Sequence, residues 1–153
     1  MFTREEASRI RHEFWTTFGK YMRPIPSSEG LMINWINYHT GVKDIYFRMN
    51  ADKHAAAICI SIEPSEAAVR EVYFDQFMEL ETLLHNSTGE AWEWQRDVTL
   101  AEGKIVSHIG IAQRGVSVFN QEDWPAIISF LKPRIIALDA FWENAKYSFL
   151  ALG

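Results

Sequence analysis

The chain has 153 residues, 48% hydrophobic and 14% aromatic, and its 20 acidic and 15 basic residues give a net charge of −5. A single domain spanning 1–153 of that composition buries a core without disulfide or metal staples, which excludes intrinsic disorder and small stapled scaffolds. The acidic balance counts against general attraction to a phosphate backbone, and the lone Cys59 excludes an internal disulfide and a thiolate zinc cage.

In chain order, Thr3-Arg4-Glu5-Glu6 reads as a capping box, a threonine and a glutamate satisfying the first backbone N–H groups reciprocally. Ile10, Phe14, Phe18 and Tyr21 continue as one helical stripe, and Pro24 and Pro26 end it. Residues 27–30 form a loop, and residues 31–40, rich in Trp, Ile and Tyr without a clean period, read as partly extended. From Val42 the pattern clears. Ile45, Phe47 and Met49 alternate with Asp44, Tyr46, Arg48 and Asn50, the period of a half-buried strand. Turn residues 50–53 lead into a second strand, where Ile58, Ile60 and Ile62 alternate with Ala57, Cys59, Ser61 and Glu63.

Pro64 and Ser65 start a second helix, with Ser65 as its cap and Val69, Val72, Tyr73, Phe77, Leu80 and Leu84 as its stripe. A second hairpin sets Trp92 and Trp94 on one face against Glu93 and Gln95, then turns at Glu102-Gly103 into Ile105, Ile109 and Ile111. Val116 and Val118 extend that last strand past Gly115. Asn120 caps a final helix with Pro125 in its first turn. Trp124, Ile127, Ile128, Leu131, Ile135, Leu138, Trp142, Ala145 and Phe149 keep phase across Pro133, as one kinked helix or two abutting ones do. The predicted fold is α+β in two layers: about four antiparallel strands carrying three long helices, in the order α-β-β-α-β-β-α.

No nucleophile elbow, phosphate loop or dinucleotide fingerprint is present, so no catalytic residue, cofactor or metal is assigned. Asp97, Glu102 and Lys104 have the residue types of a metal-dependent nuclease, but they flank a hairpin turn, where such residues are ordinarily solvated. The five histidines lack the i, i+4 pairing of a zinc helix. A His/carboxylate site requires the fold to bring His39 or His108 near Asp44 or Glu63. Cys59 reads as a small buried thiol, with no helix start or cation to lower its pKa. The candidate binding residues are Lys43, Tyr46 and Arg48, with Trp35 and Tyr38 assigned to the same sheet face. Aromatics beside cations stack bases or grip a ligand, and core packing accounts equally for Trp92 and Trp94.

Several segments carry a resemblance: Trp35-x-x-Tyr38-x-x-Gly41-x-Lys43, Ile45-Tyr46-Phe47-Arg48-Met49, Tyr73-Phe74-x-x-Phe77, Trp92-x-Trp94, Asp123-Trp124-Pro125, Phe130-Leu131-Lys132-Pro133-Arg134 and Leu138-Asp139-x-Phe141-Trp142. These are similar to a bacterial family of unknown function, sometimes found C-terminal to predicted restriction-endonuclease-like modules. The resemblance spans nearly the whole chain and implies a free-standing copy of that domain, with a link to DNA processing or defence by neighbourhood and not by chemistry.

The function expected first is therefore a non-catalytic accessory or binding domain, self-associating or engaging a protein or nucleic-acid partner. The alternatives are a metal-dependent nuclease at Asp97, Glu102 and Lys104, and a small-molecule binder at Tyr46 and Arg48. Neither a membrane span of roughly 18 apolar residues nor a signal-peptide pattern is visible, so the expected location is cytoplasmic and no membrane partner is assigned.

Overall fold

In the computed structural model, which describes residues 2–152, the capping box forms as the sequence implies. The Thr3 hydroxyl accepts from the Glu6 amide, and the Glu6 carboxylate accepts from the Thr3 amide, opening α1 (Arg4–Met22). Phe14, Phe18 and Met22 are its buried residues; Tyr21, expected in the stripe, is more than half exposed. Residues 31–40 contain no strand. They run as irregular chain with one turn, and Trp35 and Thr40 in them are buried.

Two hairpins build the sheet. β1 (Ile45–Ala51) pairs with β2 (Ala55–Ile62), and β3 (Glu93–Thr99) pairs with β4 (Ile105–Arg114). β2 and β4 join them, giving one antiparallel sheet in the order β1-β2-β4-β3. The register aligns Phe47, Ile60, Ile109 and Trp94 in one row across all four strands. Since side chains alternate along a strand, that row and its neighbours Ile58 and Ile62 define one face. The next row, Tyr46, Ser61, His108 and Gln95, defines the other.

Helices cover only the apolar face. Pro125 begins α4 (Trp124–Leu150), which continues unbroken through Pro133 and buries every residue of its expected stripe from Trp124 to Phe149. Phe77 and Trp142 stack at 6.1 Å, and Phe47 meets Trp142 edge-on at 5.6 Å, so α4 closes the core against β1 and the second helical segment.

That second segment differs from expectation in three respects. It is divided at Leu80 into α2 (Ala67–Glu79) and α3 (Glu81–Thr88). Glu66 and not Ser65 precedes it, because the Ser65 carbonyl, like that of Pro64, accepts from Arg70 Nη1. Its inward phase is Arg70, Phe74 and Phe77, with Val69 and Val72 exposed. Arg70 is burial-tolerant here because its guanidinium also meets Asp97 at 2.9 Å, so its donors and charge are answered.

Val116 and Val118 are buried, but not as strand. β4 ends at Arg114, and the chain folds back so that the Gly115 and Val118 amides donate to the His54 and Asp52 carbonyls of the β1–β2 turn. No helix among the described residues is long and apolar enough to cross a membrane.

Candidate functional site

The sheet face that carries no helix presents a polar network centred on Glu63. Glu63 follows β2 in phase with Cys59 and Ser61, and its amide donates to the Asp44 carbonyl at 2.8 Å. Its carboxylate is 3% exposed and accepts from Arg48 Nε at 2.7 Å and from Lys104 Nζ at 2.5 Å. Both cations remain about half exposed. The Arg48 guanidinium also lies over the Tyr46 ring, 4.3 Å from its centroid. One nearly buried carboxylate thus gathers two solvent-facing cations and an aromatic ring at one end of the open face.

The electrostatics follow from that geometry. Burial pushes the Glu63 carboxyl upward, but hydrogen bonds from Arg48 and Lys104 outweigh it and hold the pKa at about 2. The hydrogen bond to Glu63 raises both Arg48 and Lys104 above their ordinary values, so both stay charged. His108, beside Ser61 in register, is lowered by burial; Glu63 pulls it up and Arg48 pushes it down. Burial pushes the Cys59 thiol up to about 11, which makes it inert as a nucleophile at neutral pH. The Ser61 hydroxyl is fully buried with no hydrogen-bond partner of good geometry. Beyond it the face is floored by Ala57, Cys59, Gly110 and Ala112. Gly110 keeps that floor flat, since a Cβ there would sit 2.8 Å from the Cys59 Cβ and 3.0 Å from the Ile58 carbonyl.

The five candidate residues are divided between the two sides of the sheet. Tyr46 and Arg48 share the open face, and Lys43 is exposed in the turn before β1. Trp35 and Tyr38 do not join them. Trp35 is buried, its Nε1 donating to the Ile25 carbonyl, and Tyr38 stacks on Phe47 at 5.0 Å on the covered face. Their pattern was ambiguous because both lie in irregular chain, where no period assigns a side. The Tyr38 hydroxyl donates to Asp139, and Trp142 Nε1 donates to the Thr40 carbonyl, so these aromatics pin residues 25–40 onto α4.

Sequence reasoning missed Glu63 as the hub and Lys104 as its partner. The available signal was phase, since Glu63 continues the alternation of Cys59 and Ser61 onto the face of Tyr46 and Arg48. His108 shares the open face with Glu63, whose charge acts on it at a distance, but no hydrogen bond or ion pair joins the two. The nuclease trio is not assembled. A bulge in β3 gives Asp97 a left-handed backbone, φ 51°, and its carboxylate takes Arg70; Lys104 is held by Glu63; Glu102 stands exposed in the turn. Among the described residues no three His, Cys, Asp or Glu side chains converge to hold a metal.

An antiparallel sheet with helices on one face and a cation-bearing polar network on the other defines an α+β domain with one sheet face free. A family model matches residues 10–146, and the chain belongs to that family, described as "Domain of unknown function (DUF4268)". Neither a curated protein nor a solved structure matches it.

Proposed function

We propose that this domain is a non-catalytic accessory module that binds single-stranded nucleic acid on its helix-free sheet face. The observation that carries the reading is the cluster at Glu63, where Arg48 and Lys104 converge on one carboxylate. Two cations answered by one anion leave a positive excess on a chain whose net charge is −5. Phosphates bind through lysine and arginine, and bases stack on aromatic and guanidinium planes. The Arg48–Tyr46 pair supplies both surfaces at one point. The small-residue floor lets a flat base approach the strands. The likeness to bacterial domains C-terminal to restriction-endonuclease-like modules points the same way, toward nucleic-acid processing or defence in the cytoplasm.

Fluorescence anisotropy of labelled single strands and duplexes across a salt series tests this. Single strands should bind more tightly than duplex, with affinity falling as salt rises. Arg48→Ala and Lys104→Ala should each reduce the logarithmic salt slope by about one. Glu63→Gln, which removes the internal competitor for both cations, should tighten binding. No binding at low salt, or binding indifferent to all three substitutions, overturns the proposal.

A further inference from the structure

On the covered side of the sheet, where α4 meets residues 27–39, lies a cleft of about 280 Å³, close to the lower end of small-ligand sites at roughly 300 Å³. Its base is the side chain of Asp139, 5% exposed. One carboxylate oxygen accepts from the Ser28 amide at 2.7 Å and the other from the Tyr38 hydroxyl. Both donors are neutral. Each carboxylate oxygen has a second acceptor position, and none of the ion pairs among the described residues includes Asp139.

This contrasts with the other buried charges of the molecule. Glu63 has two cations, and Arg70 has Asp97. A buried carboxylate without a countercharge is destabilising, yet Asp139 sits at the wall of a cleft and not in closed core. Glu143, one turn along α4, lines the same cleft and is in none of the ion pairs among the described residues either. Lys146, the lysine in the lining, is 3.3 Å from Glu29 and is matched by it, and His39, which also lines the cleft, forms no ion pair with Asp139 or Glu143. Two carboxylates therefore face the cleft with no cation assigned to them. Tyr38 and Trp142 add aromatic surface, which favours a cation with an apolar stem.

We propose that this cleft binds a small organic cation, a guanidinium or primary ammonium on an aliphatic stem, which pairs with Asp139 and Glu143. The site is separate from the open sheet face and does not depend on that reading. The neutral donors Ser28 and Tyr38 hold Asp139 in place, leaving its remaining lone pairs for the ligand's N–H groups. A guanidinium head matches this arrangement best, because its planar donors reach two acceptors at once. The same chemistry is presented by a free amine or by an arginine side chain on a partner peptide.

The test is a titration of the full chain, followed by the NMR signals of the Ser28 amide and the Trp142 indole N–H. Agmatine, n-butylammonium, the neutral analogue butylurea and an acetyl-Gly-Arg-Gly-amide peptide serve as probes. Agmatine should shift both signals saturably while butylurea does not. Glu143→Gln should weaken agmatine about three- to fivefold, the loss of one partly screened charge contact, without changing thermal stability. Asp139→Asn should abolish the response; because it could also loosen residues 27–39, Glu143→Gln carries the decision if that variant unfolds. Tighter binding of agmatine than of the peptide identifies a free amine, and the reverse order identifies a partner's arginine; either supports the cation site. Absence of a saturable shift, an equal response to butylurea, or unchanged affinity in Glu143→Gln overturns it.

Discussion

Phe47, Ile60, Ile109 and Trp94 make one row across the sheet, and Tyr46, Ser61, His108 and Gln95 make the adjacent row on the opposite face. The first row is sealed by α2 and α4 and holds its place by apolar burial. The second is built on a buried carboxylate and its partners, with no helix above it. Apolar contacts are non-directional and spread over many atoms. The polar network instead rests on a few directed bonds between Glu63, Arg48 and Lys104. Loss of one side chain on the covered face should therefore lower stability alone. Loss of one on the open face should change charge, pH response and binding.

The largest effect expected is on the covered face. Phe77 is fully buried, with ring partners Phe141, Trp142 and Phe149 at 6.5, 6.1 and 4.3 Å. Phe77→Ala removes transfer energy and leaves a cavity, so urea denaturation should show a loss of about 3–5 kcal/mol. Nucleic-acid affinity of the remaining folded protein should be unchanged. A loss under about 1 kcal/mol would mean that the helices pack less firmly on the sheet than large-to-small core substitutions imply.

The next effect belongs to the open face and depends on pH. In the folded chain Glu63 titrates at about 2 against an ordinary value of 4.5, so the folded state binds fewer protons than the unfolded one in that range. Its contribution is fully present above the ordinary value and drains away as pH falls through 4.5 toward 2. His108 acts with the same sign in a higher window. Burial lowers its pKa from 6.5, so stability falls as pH drops below that value. Urea midpoints measured from pH 7 downward should decline in two stages. Glu63→Gln should remove the lower stage and cost about 1–3 kcal/mol at neutral pH, the range for losing a hydrogen bond to a charged group. His108→Gln should flatten only the upper stage. A lower stage left intact in Glu63→Gln would break the comparison, because the acid sensitivity below pH 4.5 would then lie outside the open face.

The same contrast explains what was legible in the sequence. The capping box, both hairpins and the nine-residue stripe of α4 depend on local spacing, and all of them appear in the structure. The α2 phase did not, because Val69 and Val72 look like a stripe until Asp97 and the Pro64 and Ser65 carbonyls satisfy Arg70 and let it turn inward. Val116 and Val118 have strand-like alternation, but the Gly115 and Val118 amides bond to the β1–β2 turn. Of the candidate site, Tyr46 and Arg48 were legible by alternation. The link from Glu63 to Lys104 was not, since it joins residues 41 apart across two strands. Trp35 and Tyr38 were assigned to the wrong side because irregular chain has no period to consult.

Gly110 tests the comparison at its smallest scale, where the two faces meet in one backbone. Its missing side chain belongs to the open face, yet the crowding arises from β2, with Cys59 Cβ at 2.8 Å and the Ile58 carbonyl at 3.0 Å. Gly110→Ala must push β2 and β4 apart, since neither obstacle is the end of a flexible side chain. Small-to-large strain of this kind costs about 1–3 kcal/mol, so the urea midpoint should fall less than in Phe77→Ala. The new methyl also raises the floor beside Cys59, where a stacked base would lie, so single-strand affinity should drop while the Arg48- and Lys104-dependent salt slope persists. Lost stability with unchanged affinity would place the nucleic acid at the Glu63 end alone. Lost affinity with a preserved slope would extend its path along the open face over Cys59 and Ala112.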